Sequence, residues 1–366
     1  MDRNREWWAR ALLAPAAFGC LLQGAAAQRS ATFEVRHELK VTLPAAAKQV
    51  RLWFVLPQND PEQQVQNLTI EAPCPYREVR DSEGNRLLYL ETAKPAAKNL
   101  TLLMTFLLTR KEVRSGADPA KAKPLSPGER ASMQHYLAPN KYIPINAEIR
   151  QTADKVVGGE TNPVRAARRI YDWVIANTDY WAKDPERLKG TEEGSATYCL
   201  SSKTGNCGDM GSLWIALARA KGIPARMVYG SFFKPEFDGK DVDQDAHSWV
   251  EFYASGLGWI PMDIALGDLN AADFQITPQN EVAVRRATAD GIFGNHPDRV
   301  NYYFGNLEAR RVTWSRGRDL TLTPRQNGAP VNALFEAYIE VDGRVLPEGP
   351  DGWLRKVTFR ERRGGN

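Results

Sequence analysis

The chain has 366 residues, of which 43% are hydrophobic and 25% are charged, and its formal net charge is +4. This composition, without any long low-complexity tract, is typical of a folded protein with a substantial core, and the length indicates two or three structural units. The mild and evenly mixed positive charge argues against a protein that binds nucleic acid or a membrane surface.

The first 27 residues have the pattern of a secretory signal peptide. Arg3, Arg5 and Arg10 give a positive start, residues 11–22 form an apolar stretch too short to span a bilayer, and three alanines end the segment. We expect cleavage before Gln28 and a periplasmic or secreted protein. An uncleaved anchor or a lipoprotein cysteine at Cys20 fits this segment less well. No other run approaches transmembrane length, so we expect no stable membrane insertion after cleavage.

The next unit, residues 28–113, has the alternation of β-strands. Apolar residues alternate with polar ones over 33–41 and 50–56, and two further strands are predicted at 87–90 and 100–108. Turn residues separate these strands, which predicts an antiparallel β-sandwich. His37 falls on the apolar side of the first strand, and we interpret it as a core or cleft residue rather than a ligand.

The rest of the chain divides into three further segments. A Pro-, Lys- and Gly-rich stretch at 114–140 is predicted to be a linker, and a catalytic domain is predicted over 141–296. Helices are predicted at 146–157 and 164–176, the second with Asn162 as its N-cap. For 297–366 the pattern returns to β, and we expect strands that either complete the catalytic sheet or form a separate β-rich extension.

One cysteine lies at the start of a strongly apolar segment. Apolar residues recur at helical spacing over 213–220, which predicts a helix that begins at Cys207. Gly222 and Pro224 end this helix, since glycine adopts the left-handed C-cap conformation and proline prevents continuation. Unpaired N–H groups and the positive dipole end favour a thiolate at Cys207. The position suits a nucleophile, although a free cysteine is also commonly a small buried hydrophobe.

Two later segments carry a histidine and an aspartate. Residues 246–253 alternate like a strand, and residues 259–263 return after a glycine-containing turn. A hairpin centred near Ser255 brings positions 247 and 263 opposite one another. We therefore expect contact between His247 and Asp263.

Together, Cys207, His247 and Asp263 supply a nucleophile, a base and a group that orients the base. Imidazole beside a thiol stabilises a thiolate–imidazolium pair, and the carboxylate fixes the ring tautomer. Such a triad transfers acyl groups from amides without a cofactor or a metal ion. The N–H of Cys207 would stabilise the oxyanion. Candidates for a second donor or for the wall of the substrate cleft are Asn206, Tyr180, Tyr198 and Trp181.

Several blocks of this sequence resemble the transglutaminase-like domain of bacterial secreted and periplasmic proteins, over about residues 146–266. The blocks are Gly205-Asn206-Cys207-Gly208-Asp209, residues 218–226, Ala246-His247-Ser248-Trp249, and Gly258-Trp259-Ile260-Pro261-Met262-Asp263. The resemblance implies an α+β fold with a papain-like core, in which the helix bearing the cysteine packs on an antiparallel sheet bearing the histidine and aspartate. An antiparallel β-sandwich often precedes this core. Cys207, His247 and Asp263 occupy the triad positions of the family.

The resemblance leaves the reaction open, because the superfamily contains cross-linking enzymes, proteases and amidases. We favour a peptidase or amidase that hydrolyses amide bonds of proteins or peptides, since water is the abundant acceptor. Cross-linking of protein glutamine by amine transfer is the alternative. A non-catalytic binding or assembly module on the same fold is a further alternative.

Apart from Cys20, the cysteines are Cys74, Cys199 and Cys207. In an oxidising compartment an odd number indicates one disulfide and one free thiol. A Cys74–Cys199 bridge would leave Cys207 reactive, whereas a Cys199–Cys207 bridge would silence it. The sequence leaves both pairings open.

Two metal-binding interpretations compete with the triad. Thiolate, imidazole and carboxylate all bind zinc, but a helix start and a hairpin satisfy the needs of a triad directly. An acidic loop lacks the glycine and the final glutamate of a calcium-binding EF-hand, so we interpret it as solvated and leave cation binding open. Its carboxylates are Asp238, Asp241, Asp243 and Asp245.

Overall fold

The computed structural model describes residues 29–95, 97–242 and 246–362. The predicted signal peptide, residues 1–27, and its cleavage site lie outside these ranges. Within them, no helix is both long enough and apolar enough to cross a membrane.

The described residues form seventeen strands, eight α-helices and three short 3₁₀ helices. The strands are β1 (Ser30–Thr42), β2 (Gln49–Val55), β3 (Gln63–Glu71), β4 (Tyr76–Arg80), β5 (Arg86–Ala93), β6 (Asn99–Lys111), β7 (Val113–Arg114), β8 (Asp179–Tyr180), β9 (Thr204–Gly205), β10 (Ala225–Phe232), β11 (Ala246–Ala254), β12 (Gly258–Met262), β13 (Asn306–Leu307), β14 (Arg311–Arg316), β15 (Ala337–Val341), β16 (Arg344–Val345) and β17 (Trp353–Glu361). The α-helices are α1 (Pro127–Ser132), α2 (Ala147–Val157), α3 (Pro163–Asn177), α4 (Ala196–Ser202), α5 (Cys207–Ala220), α6 (Ile264–Leu269), α7 (Glu281–Ala287) and α8 (Pro297–Tyr302). The 3₁₀ helices are Gln134–Tyr136, Trp181–Lys183 and Pro235–Phe237.

The amino-terminal strands lie in two antiparallel sheets around one apolar core. One sheet has the order β17-β1-β6-β3 and the other has the order β16-β15-β2-β5-β4. All four predicted strands are present as β1, β2, β5 and β6, because their alternate residues are apolar and buried. The sequence pattern missed β3 and β4, whose side chains are polar and mostly exposed.

His37 lies inside this core, as predicted for its position on β1. Its ring centroid is 4.6 Å from that of Phe54 and 5.2 Å from that of Trp314. Burial first, and the charge of Arg355 second, hold the pKa of His37 well below its usual value. The ring therefore stays neutral and packs as an aromatic side chain.

The carboxyl-terminal strands complete both units of the molecule. In the sandwich β17 pairs with β1 and β15 pairs with β2, whereas β14 pairs with β10 of the catalytic sheet. Residues 297–366 therefore do not form a separate extension. The pairing joins strands far apart in the sequence, which alternation alone cannot reveal.

The catalytic unit is a four-stranded antiparallel sheet, in the order β12-β11-β10-β14, with helices packed on it. Helix α5 lies at its centre, and Leu213, Trp214 and Leu217 are completely buried there. Helix α5 packs against α2, α3, α4 and α6, and it also contacts β9, β10 and β11. The three predicted helices α2, α3 and α5 thus build the core that presents the amino end of α5.

Both ends of α5 have the local structure that the sequence indicates. The Asn206 side chain accepts a hydrogen bond from the N–H of Asp209, and the Asp209 side chain accepts one from the N–H of Asn206, which is a capping box. At the other end Gly222 has a φ of 75°. Ile223 N–H donates to Ala218 and Gly222 N–H donates to Arg219, so the helix ends in a Schellman motif.

The predicted linker at 114–140 is ordered along the catalytic unit. It starts with β7 pairing to β13, and the N–H of Lys123 donates to the Ser255 carbonyl at the β11–β12 turn. The segment also contains α1, and the Tyr136 ring packs edge-on against Trp259 at 4.8 Å. Short helical turns held by side-chain contacts carry no strong apolar periodicity. The sequence of this segment therefore shows only its composition, which is typical of a linker.

A methyl group at position 230 tests the close packing of β10 between its neighbours. A Cβ at Gly230 would lie 2.1 Å from the Val312 carbonyl oxygen and 2.5 Å from the Trp249 ring. We expect Gly230→Ala to lower the free energy of unfolding by about 1–3 kcal/mol or more in urea denaturation. Gly159→Ala is the control, because nothing lies within 4 Å of its Cβ. Equal stability of the two variants would contradict this packing.

Candidate active site

Cys207 is the first residue of α5 and lines an open cavity of about 510 Å³. Asn206 caps the helix through the N–H of Asp209. The N–H groups at the start of a helix have no partner within it, so those of Cys207 and Gly208 can donate to a ligand in the cavity. The half-buried thiol therefore lies at the positive end of the helix.

His247 is the second residue of β11 and is buried beside Cys207. Its ring stacks on Phe232 at 4.6 Å, with 26° between the planes. Its Nε2 lies 2.8 Å from Oδ2 of Asp263. Because the carboxylate occupies Nε2, the Nδ1 atom is left for the Cys207 thiol, which hydrogen-bonds to this ring.

Asp263 is completely buried just after β12, where it caps α6. Its Oδ1 accepts a hydrogen bond from the Leu266 N–H at 3.1 Å, and its Oδ2 accepts one from Arg311 Nη1 at 2.7 Å. The hairpin register pairs Val250 with Met262, so its centre is at 256 rather than 255. The predicted contact exists, but Asp263 makes it from beyond the strand end.

Cys207, His247 and Asp263 stabilise one another's charged forms. Burial alone would raise the pKa of Cys207, but the charge and hydrogen bond of His247 outweigh burial and lower it. Burial would also lower the pKa of His247, yet Asp263 and Cys207 raise it to about 9. Burial opposes ionisation of Asp263, and His247 and Arg311 nevertheless hold its pKa far below the usual range. The site therefore favours thiolate, imidazolium and carboxylate together.

Tyr180 and Trp181 both line the cavity with Cys207. Tyr180 is held there because β8 pairs with β9, immediately before α5, and its N–H donates to Asp268 at 2.9 Å. Burial and then the charge of Cys207 raise the pKa of Tyr180 well above its usual value, so its hydroxyl keeps its proton. This hydroxyl also hydrogen-bonds to Cys207.

The other two nominated residues are differently placed. Asn206 lines the cavity, but its side chain is occupied by Asp209 N–H and by the Thr191 carbonyl, to which it donates at 2.6 Å. Tyr198 lies on α4, and its hydroxyl donates to the Lys189 carbonyl at 3.3 Å. Capping and loop contacts hold both side chains in structural roles.

Sequence reasoning missed the residues that fix the cavity wall. Asp209 is buried and accepts hydrogen bonds from Thr191 and from the N–H groups of Ser195 and Asn206. Arg318 donates to the carbonyls of Glu193 and Gly194 and to the Ser212 hydroxyl. The Asn-x-x-Asp spacing of a capping box could have indicated Asp209, but no local pattern indicates Arg318.

Neither of the two disulfide pairings that the sequence leaves open is formed. Cys74, Cys199 and Cys207 are all free thiols, so the Cys74–Cys199 bridge and the Cys199–Cys207 bridge are both absent. Cys74 packs against the sandwich core, whereas Cys199 is buried in the core of the catalytic unit. The two side chains belong to different cores, which explains why they do not pair.

The acidic loop lies against β17 rather than in the cavity. Asp241 accepts a hydrogen bond from the Val357 N–H, and Asp238 lies 4.0 Å from Arg360. Asp243 and Asp245 lie outside the described residues. Across the described ranges, no group of three His, Cys, Asp or Glu side chains is arranged to hold a metal ion.

Comparison with known proteins assigns the central part of the chain. Residues 150–264 match the profile of the transglutaminase-like superfamily. This part of the chain is a transglutaminase-like domain. The match contains Cys207, His247 and Asp263 and ends one residue after Asp263, so Arg311 and Arg318 lie beyond it.

Sequence similarity to other proteins extends beyond the transglutaminase-like domain into the flanking regions. An uncharacterized protein of Haemophilus influenzae is 28% identical over 337 residues, which cover 86% of this chain and 87% of that protein. The uncharacterized protein YebA of Bacillus subtilis is 26% identical over 158 residues, covering 40% of this chain and 21% of YebA.

A solved structure from Cytophaga hutchinsonii, described as a putative cysteine protease, is similar over 91% of this chain and 98% of that protein's chain. Its TM-score is 0.51 and its identity is 18%, so the likeness shows a shared fold. The predicted α+β class, with a transglutaminase-like core, is confirmed by the profile match and this fold.

The pKa shifts predict a pH-dependent difference between the thiols. At pH 6 we expect iodoacetamide to modify Cys207 on the order of tenfold faster than Cys74, because a lowered thiol pKa leaves more thiolate. Burial raises the pKa of Cys74. The advantage should shrink as the pH rises through about 9, where His247 loses its proton. Mass spectrometry of the labelled peptides measures both rates.

The matched variant for this measurement is His247→Ala, which removes the cation that stabilises the thiolate. It should slow labelling of Cys207 at pH 6 and leave that of Cys74 unchanged. Unchanged labelling of Cys207 would contradict the thiolate–imidazolium pair.

The contacts of Asp209 predict its role in fixing the cavity wall. Asp209→Asn replaces one accepting oxygen by an NH₂ group that faces the donors of residues 191, 195 and 206. We expect a loss of about 1.5–3 kcal/mol of stability, typical of hydrogen bonds to a charged group, and faster limited proteolysis at 190–195. Asp172→Asn, at an exposed ion pair with Arg168, is the control. Unchanged cleavage within 190–195 would contradict this role.

Proposed function

We propose that this protein is an exported cysteine-dependent enzyme that hydrolyses amide bonds of proteins or peptides. The observation that carries the proposal is the hydrogen-bonded line from Cys207 through His247 to the buried carboxylate of Asp263, at the edge of one open cavity. A cysteine that only packs in the core does not require a neighbouring imidazole with a raised pKa. The export rests on the predicted signal peptide.

In the first half of the reaction, the Cys207 thiolate attacks the carbonyl carbon of the substrate amide. The negative charge moves to the carbonyl oxygen, which the N–H of Cys207 stabilises at the helix start. Among the nominated second donors we assign this role to Tyr180, because its hydroxyl keeps its proton next to the sulfur. His247 gives its proton to the amine nitrogen, the C–N bond breaks, and a thioester on Cys207 remains.

In the second half, water replaces the amine. Neutral His247 takes a proton from water, the resulting hydroxide adds to the thioester, and the C–S bond breaks to give a carboxylic acid and the Cys207 thiolate. Asp263 keeps the ring oriented through Nε2 in both halves. The openness of the cavity to solvent supports water as the acceptor.

The cavity wall supports a peptide as the substrate. Trp181, Tyr229 and Phe335 line it with aromatic surface, while Lys189 and Glu192 contribute charged groups. Ligand sites commonly combine apolar walls with a few polar groups that fix orientation. An extended peptide segment can use both kinds of contact.

Product analysis tests hydrolysis directly. Envelope protein extract and a fluorescent primary amine are incubated with the wild type and with Cys207→Ala. We expect new protein termini, or side-chain amides converted to carboxylates, without incorporation of the amine and only with the wild type, because only this protein forms the thioester. Cys74→Ala, which removes a thiol of the sandwich, should match the wild type.

Two results would overturn the proposal in different ways. Incorporation of the amine that depends on Cys207, with release of ammonia but without new termini or newly formed carboxylates, would identify a cross-linking transferase. Equal products from wild type and Cys207→Ala, together with slow labelling of Cys207, would identify a non-catalytic module.

A further inference from the structure

Arg311 contacts the triad from outside the transglutaminase-like domain. It is the first residue of β14, its side chain is completely buried, and its Nη1 donates to Asp263 Oδ2 at 2.7 Å. The same oxygen accepts the hydrogen bond from His247. Arg311 and His247 therefore approach one carboxylate oxygen from two different strands.

Glu308 holds the other side of the guanidinium group. Arg311 Nε and Nη2 donate to its two carboxylate oxygens at 2.5 and 2.9 Å. This is the two-pronged geometry that suits a guanidinium and a carboxylate, and it fixes the plane of the group. The remaining nitrogen, Nη1, is thereby aimed at Asp263.

Aromatic rings enclose the guanidinium group. Its central carbon lies 4.9 Å from the centre of the Phe232 ring and 5.0 Å from that of Trp249. Phe232 is also the ring on which His247 stacks. A displacement of Arg311 would therefore disturb both the partner of Asp263 and the packing of His247.

We propose that Arg311 is a positioning residue for the reaction, which fixes the buried carboxylate of Asp263 and keeps it ionised so that His247 is oriented toward Cys207. This inference rests on the proposed function of the triad. It assigns a specific part of the site to a strand beyond the matched domain.

A simpler interpretation is that Arg311 serves only the Glu308 ion pair. That pair would use Nε and Nη2 and would not need the third contact. Asp263 lies completely buried, where an ionised carboxylate requires compensating partners. Arg311 is the cation that the described contacts place on Asp263 in addition to His247.

The sign of the expected effect follows from the groups around Asp263. These groups are His247 on β11, Arg311 on β14 with Glu308 and the Tyr303 hydroxyl beside it, and the hydroxyls of Tyr171 and Tyr180. Removing the Arg311 cation favours protonation of Asp263. A protonated Asp263 no longer stabilises the imidazolium of His247, so the thiolate of Cys207 is lost at a higher pH.

The test is the pH profile of iodoacetamide labelling at Cys207 in the full chain. Arg311→Gln keeps a donor but removes the charge. We expect the acid limb of the profile, where labelling falls because the thiolate is protonated, to move to higher pH. The shift should be roughly one pH unit or more, as for loss of a charge close to a carboxylate. Arg311→Lys restores the charge without the two-pronged geometry. Its acid limb should therefore lie closer to that of the wild type, with a smaller upward shift remaining.

Arg316→Met is the matched control, because Arg316 lies on the same strand and pairs with Asp60 and Glu251 rather than with the triad. It should lower stability in urea denaturation without moving the acid limb. The profiles are compared at one temperature and over the pH range in which every variant shows its folded baseline. If Arg311→Gln does not fold, Arg311→Lys and the wild type still allow a comparison of the two-pronged guanidinium with a point charge. We expect the acid limb of Arg311→Lys to lie at a higher pH than that of the wild type.

The results separate this inference from the proposed function. A wild-type profile unaffected by His247→Ala would overturn the triad itself. A normal wild-type profile, with Arg311→Gln and Arg311→Lys both superimposed on it, would overturn the role of Arg311 and leave the triad standing. A shift in Arg316→Met equal to that in Arg311→Gln would assign the effect to lost stability and also overturn the role.

Discussion

The buried carboxylate of Asp263 is the constraint on which the rest of the structure depends. A carboxylate in the interior is costly unless donors and cations surround it. Here the donors come from three places: His247 on β11, the first turn of α6, and Arg311 on β14. The sheet, the helix after it and a strand from the carboxyl-terminal region must all be in place before this charge is tolerated.

Strand β14 links this constraint to the sandwich. Arg311 faces Asp263, while the next residue, Val312, lies in the core of the sandwich together with Trp314. Successive side chains of a strand point to opposite sides, so a single strand serves both units. The backbone of β14 pairs with β10, directly beside the strand that carries His247. The sandwich thus supports the geometry of the candidate site, although it contributes no member of the triad.

Local patterns predicted the parts of the fold that local physics determines. Helices α2, α3 and α5 have capping residues and apolar periodicity within their own sequence, and the hairpin of β11 and β12 has alternation and a glycine turn. The contact of His247 with Asp263 followed from that hairpin, with a small error in register. The partners of β1 and β2 did not follow, because β17 and β15 lie about 300 residues away in the chain and pairing depends on tertiary packing.

The same distinction explains which site residues were found. Cys207, His247 and Asp263 each lie at a recognisable element boundary or strand position, whereas Arg311 is separated from Asp263 by 48 residues and has an ordinary charged sequence context. Its importance depends on burial, since an exposed Arg–Asp pair contributes little. A transglutaminase-like domain that ended at residue 264 would keep all three triad side chains and lose the cation that compensates Asp263. The unit that determines the ionisation of this site is therefore larger than the unit that defines the family.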